Sequence, residues 1–206
     1  MDGTVLLLHG LLMRRPALLP LAHRLRARGY ATSLFPYLTL WHAPERAIAS
    51  LARRIEALAA HGPVHVVGHS LGGVIAVETF NRHPDLPGGR VLCLGSPIAG
   101  SAAARGLQAR GVGLVSGRSG PLLRTGLAGL PAGREVGMVA GNRPLGLGRW
   151  IGRIEGASDG TVALDETRLP GLSAHVCLPV SHTGLVYSMD VVERIDQFLR
   201  LGRFDG

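Results

Sequence analysis

One serine of this sequence lies in a setting that can make its hydroxyl a nucleophile. Residues 68–72 read Gly-His-Ser-Leu-Gly, a G-x-S-x-G pattern with Ser70 at its centre. An apolar run precedes the pattern and a helical run follows it, so the pattern predicts a sharp strand-to-helix turn. Small residues flank the serine because bulky neighbours would clash in such a turn. The turn would place the Ser70 hydroxyl at the carboxyl ends of the strands, beside the free N–H groups of a helix N-terminus.

A serine hydroxyl is a poor nucleophile until a base takes its proton. The chain has nine histidines that compete for this role. His182 lies just beyond the end of a predicted strand, at the sheet edge where Ser70 also emerges. Most of the others lie on or beside predicted helices, or begin a strand. We therefore predict that His182 is the base.

The base in turn needs a carboxylate that orients its ring. Four acids lie near one another in the sequence and could supply it: Glu155, Asp159, Asp165 and Glu166. Asp159 is followed by glycine, and Asp-Gly is also an ordinary turn sequence. Residue types and spacing alone leave the choice among these acids open.

The motifs together resemble those of lipases and esterases of the α/β-hydrolase superfamily, over nearly the whole chain. Residues 68–73 resemble the nucleophile elbow, and Leu-His-Gly-Leu at 8–11 resembles the oxyanion segment. Further matches are Gly-Ser-Pro at 95–97 with Gly-Ser at 100–101, the acid-bearing loop at 158–162 and the histidine loop at 181–183. The family's chain order of Ser, Asp and His implies Ser70, Asp159 and His182 as the catalytic triad, with Asp165 as the second choice of acid.

The resemblance also implies the chemistry of the site. An acyl ester, small or lipid, would be cleaved through an acyl-enzyme intermediate without a cofactor. A thioesterase or acyltransferase with the same triad is the alternative, since the sequence does not show the leaving group or the acceptor. A binding protein that keeps the fold without catalysis is less favoured, because no member of the triad is missing.

The oxyanion hole needs backbone donors, which any residue type can supply. We expect them to be the N–H groups of Leu71, next after the nucleophile, and of Leu11, next after His9-Gly10. His9 is expected to shape this loop, and His69 to pack beside the elbow. The two leucine side chains, with residues 12 and 13, are expected to line an apolar mouth that suits an acyl chain.

Apolar patterning predicts the elements that carry these residues. Six strand candidates lie at residues 4–8, 31–35, 64–67, 90–95, 135–140 and 174–179, with helical spacing between them. Strands that alternate with helices predict an α/β fold with an open, mostly parallel sheet of about six strands flanked by helices. Since the family that it resembles usually has eight strands, the resemblance implies a minimal α/β-hydrolase fold. The length of 206 residues predicts a single domain over residues 1–206.

Two stretches without strong periodicity interrupt this pattern, a glycine-rich segment at 99–134 and an irregular loop at 141–158. Segments of this kind in a compact domain are often lids. Residues 99–154 carry eight arginines and one acid, and so hold +7 of the formal net charge of +8. Leucines lie among them, including Leu114, Leu122, Leu123, Leu127 and Leu130. This mixture predicts a mobile, loop-rich basic cap that contacts an anionic membrane surface or substrate.

The remaining features limit the partners. Nucleic-acid binding needs basic residues with aromatic stacking groups on one face, and Trp41 and Trp150 are isolated, so no nucleic acid is expected. The histidines at 61, 65 and 69 would align as metal ligands on a helix, but Pro63 and the strand around His65 rule that helix out. No metal is therefore expected. The absence of a leader-like segment and of a long apolar run favours a cytoplasmic location.

Overall fold

The computed structural model describes residues 3–38, 42–145 and 156–205. Six strands in these ranges form one sheet in the order β2-β1-β3-β4-β5-β6, and every neighbouring pair is parallel. The strands are β1 (Thr4–Leu8), β2 (Ala31–Leu34), β3 (Val64–His69), β4 (Val91–Leu94), β5 (Val136–Gly141) and β6 (Ala174–Leu178). The predicted open sheet of an α/β fold is confirmed, and in the described residues it is parallel throughout.

Helices cover both faces of this sheet. They are α1 (Leu19–Arg26), α2 (Pro44–Ala59), α3 (Leu71–Arg82), α4 (Ala102–Ala109), α5 (Gly120–Thr125) and α6 (Met189–Leu201). The first and last helices pack on one face, and α2 and α3 pack on the other. No helix among the described residues is long and apolar enough to cross a membrane.

The continuous apolar runs of the strands follow from this layering. In β1, Val5 and Leu7 point into the core under α1 and α6, whereas Leu6 and Leu8 point into the core under α2 and α3. All four side chains are at most 1% exposed. Because successive side chains of a strand alternate between faces, a strand covered on both sides is apolar at nearly every position.

Residues 99–134 differ from the loop-rich segment that the sequence predicted. They contain α4, α5 and an intervening 3-10 helix at Gly113–Ser119. These helices are too short for a clear apolar period, so local signals decide where they begin. The Ser101 hydroxyl accepts a hydrogen bond from the N–H of Ala104 at 3.2 Å, which caps α4, and Pro121 lies in the first turn of α5.

The leucines of this segment do not form the free apolar surface expected of a mobile cap. Leu123 and Leu127 are buried, and Leu122 and Leu130 pack half-buried against the same core. The base of the segment could not swing away without exposing these side chains, at roughly 1.5–3 kcal/mol for each one fully buried. Only Leu114 is in solvent, 91% exposed. Of the predicted basic residues, those at 149 and 153 lie outside the described residues.

A parallel sheet has one functional consequence for this chain. All six strands end at the same edge, so the loops that follow β1, β3, β4, β5 and β6 meet there. These are the loops in which the candidate residues lie, and β3, which carries Ser70 at its end, has β1 and β4 as its neighbours. The fold therefore brings together residues that are more than a hundred positions apart in sequence.

Candidate active site

Ser70 lies in a strained turn between β3 and α3. Its backbone has φ 54° and ψ −122°. A positive φ of this kind costs a non-glycine residue roughly 1–3 kcal/mol. The Ser70 N–H donates to the carbonyl of Leu94 in β4 at 2.9 Å, which pins the turn to the sheet. A Cβ at Gly72 would come within 2.6 Å of the Leu8 carbonyl oxygen, so only glycine lets the start of α3 approach β1 this closely.

Asp159 and His182 form a direct contact at this edge of the sheet. The Nδ1 atom of His182 lies 2.6 Å from Oδ2 of Asp159. The other carboxylate oxygen, Oδ1, accepts hydrogen bonds from the N–H groups of Thr161 at 2.9 Å and Val162 at 2.7 Å. Asp159 is thus both a turn residue and the partner of a histidine. Its side chain is 1% exposed and that of His182 is 12% exposed, so water competes little for their contact.

The backbone holds this pair in register. The His182 N–H donates to the Asp159 carbonyl at 2.9 Å, which ties the two loops together. Gly95, at φ 55°, lies beneath them, and a Cβ there would come within 2.9 Å of Asp159 Oδ2. Since Nδ1 of His182 is engaged by the carboxylate, Nε2 is the ring nitrogen left for a reacting group.

His69 connects the serine turn to the histidine loop. Its Nε2 lies 2.9 Å from the carbonyl oxygen of His182, and the two rings are 4.6 Å apart between centroids. Burial lowers the pKa of His69 to about 3, and the neighbouring His182 acts in the same direction. His69 is therefore neutral at ordinary pH, and its Nε2–H donates to the carbonyl. The residue next to Ser70 thus holds the His182 backbone in place without adding a charge.

The sequence candidates therefore meet at one edge in different degrees of contact. Asp159 and His182 are in direct contact. Ser70 is connected to them through its chain neighbour His69, which bonds to the His182 carbonyl. Within the residues that the structure describes, the Ser70 hydroxyl makes no hydrogen bond. In hydrolases, the hydrogen bond between a nucleophile and its base is often long without substrate and tightens in the reacting complex.

The competing acids have other positions. Asp165, the second choice, is exposed on a 3-10 helix at Asp165–Thr167 and has no contact with His182. Glu166 is buried but accepts hydrogen bonds from the N–H groups of Ala102 and Ala163. Glu155 lies outside the described residues. Among the described acids, Asp159 alone contacts the histidine.

Glu166 has a structural position that the sequence gave no sign of. Its carboxylate joins the first residue of α4 to the loop that carries Asp159, and Arg105 lies 3.8 Å from it. Burial raises the pKa of this group, while the two N–H donors oppose that shift. The helical segment at 99–134 is thus anchored to the acid-bearing loop through one buried side chain.

The loop after β1, called here the oxyanion loop for its predicted role, leaves backbone N–H groups free among the described residues but does not have the predicted side-chain arrangement. Neither the Leu11 nor the Leu71 N–H has an acceptor within residues 3–38, 42–145 and 156–205. Their side chains, however, pack into the core, and Leu71 is fully buried. Leu12, at φ 60° and 61% exposed, and Met13 form the outer wall instead. The positive φ of Leu12 turns the chain so that residues 11 and 12 face opposite ways.

Tyr37, which follows β2 and packs against this loop, is a residue that sequence reasoning missed. Its ring stacks on that of His9 at 4.5 Å between centroids, and its hydroxyl donates to the His9 carbonyl. The His9 ring is also held by a hydrogen bond between its Nδ1 and the Gly10 carbonyl oxygen, at 2.9 Å. Burial lowers the pKa of His9 and raises that of Tyr37. Two neutral rings thus fix the backbone that precedes Leu11, and the sole sequence signal was an aromatic residue just after a strand.

The histidines at 61, 65 and 69 do not converge. His65 lies on β3 and accepts from the N–H of Arg90 at 3.1 Å through Nδ1, while His69 faces His182. Burial lowers the pKa of His65 to about 4. In the described ranges no three His, Cys, Asp or Glu side chains are grouped so as to hold a metal ion.

Comparisons with known proteins agree with this architecture. A family model described as the alpha/beta hydrolase family matches residues 5–201. A search of curated proteins finds no match.

Solved structures match over almost the whole chain at low identity. The mature form of the lipase BlEst2 from Bacillus licheniformis has a TM-score of 0.77 at 19% identity, covering 98% of this chain and 92% of that one. The metagenomic carboxyl esterase MGS0156 has a TM-score of 0.66 at 20% identity, covering 88% and 64%. A lipase-esterase related protein from Clostridium acetobutylicum has 0.66 at 12%, covering 96% and 94%. At these identities the likeness is one of fold.

Proposed function

Because the chain belongs to the alpha/beta hydrolase family, we propose that it is a serine hydrolase that cleaves carboxylic esters. Ser70 is the nucleophile, His182 the base and Asp159 the orienting acid. The observation that carries this proposal is the 2.6 Å contact between His182 and a buried Asp159, beside a serine in a strained strand-to-helix turn. A turn that only packed a helix against a strand would not need an oriented histidine next to it.

In the first half of the reaction, Nε2 of His182 takes the Ser70 proton as Oγ attacks the ester carbonyl carbon. The carbonyl oxygen becomes an oxyanion, which the N–H groups of Leu11 and Leu71 stabilise. The positive end of the α3 dipole adds to this effect. The imidazolium then gives its proton to the leaving alcohol, and an acyl-enzyme remains on Ser70.

In the second half, water replaces the alcohol. His182 takes a proton from the water, the hydroxide attacks the acyl-enzyme, and the proton returns to Ser70 as the carboxylic acid leaves. Asp159 stays ionised throughout and stabilises the imidazolium that forms twice per cycle. No step of this cycle requires a metal or an organic cofactor.

The structural neighbours support the choice of an ester as substrate. The proteins that resemble this chain in fold include one called a lipase and one called a carboxyl esterase. A thioesterase or an acyltransferase would use the same acyl-enzyme and differ only in the leaving group or the acceptor.

Hydrolysis of chromogenic esters tests the proposal directly. With p-nitrophenyl esters of increasing acyl length, we expect steady turnover preceded by a burst of one nitrophenol per chain. The burst arises because an acyl-enzyme accumulates when deacylation is the slower half. The measurement is stopped-flow absorbance with acyl-CoA thioesters of the same acyl chains in parallel. A higher kcat/KM for the thioesters would favour the thioesterase, and transfer to an added alcohol would favour the acyltransferase. Turnover without a burst, and without labelling by a fluorophosphonate, would contradict the serine mechanism.

We also propose that the tip of the 99–134 segment contacts an anionic lipid surface. Leu114 is 91% exposed and Val112 is 46% exposed, so the tip presents apolar side chains to solvent. Arg118 is exposed close by in the sequence. An apolar tip with adjacent positive charge suits the boundary between lipid headgroups and acyl chains.

Vesicle binding tests this contact. Arg118→Gln should weaken binding to vesicles of anionic lipid about fivefold, because a charge near such a surface contributes about 1 kcal/mol. Leu114→Ser should weaken it as well, whereas Leu201→Ser, which removes a leucine of α6 that is 49% exposed, should not. Co-sedimentation at low and high salt measures both effects. Equal binding to neutral and anionic vesicles would contradict the proposed lipid contact and leave the esterase proposal unaffected.

A further inference from the structure

A large cavity adjoins the oxyanion loop. Its volume is about 830 Å³, within the range that holds a ligand of several hundred daltons. Three segments form its walls: residues 12–16, residues 36–38 and the first turns of α2. His9 lies at its inner end, stacked on Tyr37.

The cavity is separated from the nucleophile by the backbone of the oxyanion loop. Gly10 follows the lining residue His9, and a Cβ at Gly10 would lie 3.1 Å from the Cβ of Ser70. A substrate arm that passes this loop from the nucleophile would enter the cavity. The cavity is the space into which that arm can extend.

The charged groups of the cavity are all of one sign. Arg14, Arg15 and Arg46 line it, and none of the described lining residues is acidic. No ion pair joins any of these three arginines to a carboxylate of the described chain. The nearest acid in sequence, Glu45, lies 3.9 Å from Arg82 instead. Concave walls concentrate the field of like charges, so the cavity attracts anions more strongly than isolated surface arginines would.

Apolar side chains make up much of the remaining wall, beside the polar Tyr37, His42 and Ser50. Leu12, Met13, Pro16, Pro36 and Leu38 all line the cavity. The inner histidine adds no further positive charge, because burial lowers the pKa of His9 and the nearby Arg15 acts in the same direction. A ligand that fits this cavity has an apolar part near the oxyanion loop and an anionic end that the guanidinium groups bind, with planar hydrogen bonding suited to carboxylate or phosphate.

We propose that this cavity, called here the arginine cavity, binds an anionic group of the substrate, a carboxylate or phosphate joined to the ester by an apolar spacer. The proposal rests on the proposed esterase function and adds a substrate class to it. The enzyme then prefers esters that carry a negative charge over neutral esters of the same length.

Matched substrates test this preference. One pair is mono-p-nitrophenyl suberate and its methyl ester, which differ by a carboxylate on the acyl side. The other pair is octanoyl-phosphopantetheine and octanoyl-pantetheine, which differ by one phosphate on the leaving side. For each pair the readout is the ratio of kcat/KM for the anionic over the neutral member. If the ratio for one pair exceeds one and falls when the arginines are substituted, the anionic group lies on the side of the ester that this pair varies, acyl or leaving.

The variants separate a local effect from the overall charge. Joint substitution of the three arginines by glutamine should lower the ratio about tenfold, since each partly exposed charge contact is worth a few-fold. Arg46→Gln alone should lower it a few-fold and guards against misfolding of the triple variant. The control is Arg53→Gln, which removes the same charge from the exposed side of α2, outside the cavity, and should leave both activities unchanged. Ratios near one in both pairs, or equal losses in Arg53→Gln and Arg46→Gln, would overturn the proposal.

A binding measurement keeps this result apart from the esterase proposal. Titration calorimetry of Ser70→Ala with octyl phosphate, against octanol as the neutral match, requires no turnover. We expect salt-sensitive binding of octyl phosphate that the triple arginine substitution abolishes and Arg53→Gln retains. If no ester is hydrolysed but octyl phosphate binds in this way, the esterase proposal fails and the arginine cavity stands as an anion site. If esters are hydrolysed and octyl phosphate binds no better than octanol, the cavity proposal fails alone.

Discussion

Replacing Ser70 by alanine should lower kcat for p-nitrophenyl esters about a millionfold, the scale seen when a triad serine is removed. The loss is this large because the hydroxyl is the only group that forms the acyl-enzyme, so its removal disables the base and the acid along with it. The fold should survive. The hydroxyl makes no hydrogen bond in the described chain, and alanine meets the same backbone strain at φ 54°.

Steady-state kinetics and fluorophosphonate labelling measure this prediction together. The probe should label one serine, in the peptide that contains Ser70, and the alanine variant should not react. The matched control is Ser173→Ala. Ser173 lies where β5 and β6 begin, at the opposite ends of the strands from Ser70. Its hydroxyl accepts from the Val136 N–H at 3.2 Å, so its loss costs stability of about 1 kcal/mol but not activity. Normal turnover by purified Ser70→Ala would end the proposed mechanism.

Changing Asp159 to asparagine should lower kcat about ten-thousandfold, with little change in fold. The amide oxygen can still accept the N–H groups of Thr161 and Val162, which hold the turn. The amide nitrogen, however, takes the place of the Oδ2 atom that faces Nδ1 of His182. Because that nitrogen is a donor, the imidazole must carry its proton on Nε2, where it can no longer accept the proton of Ser70.

Asp165→Asn is the control for this substitution, because it makes the same chemical change six residues away. Asp165 is exposed and does not contact the histidine, so the variant should keep nearly full activity. Thermal unfolding of both variants verifies that neither loss comes from misfolding. If Asp165→Asn lost more activity than Asp159→Asn, the orienting acid would have to be reassigned.

The sequence by itself determined the frame of this protein. Strands buried on both faces are mostly apolar, and β1 and β3 therefore stood out as short runs rich in leucine or valine, bounded by glycine or proline. The alternation of such runs with helical spacing led to the parallel sheet, and a parallel sheet places the ends of its strands at one edge. The serine turn was also readable, because only a strand-to-helix turn of small residues produces the Gly-His-Ser-Leu-Gly pattern in that context.

Tertiary structure decided the points where local sequence signals were equal or absent. Asp159 and Asp165 are both aspartates in a turn-rich stretch, and only the fold brings one of them to 2.6 Å from His182 and leaves the other exposed. The short helices of residues 99–134 have no apolar period of their own, and they depend on caps and on burial of Leu123 and Leu127. Tyr37, Glu166 and the arginine cavity depend on contacts between segments distant in sequence. Periodicity and spacing are properties of neighbouring residues, whereas such contacts exist only once the sheet has assembled.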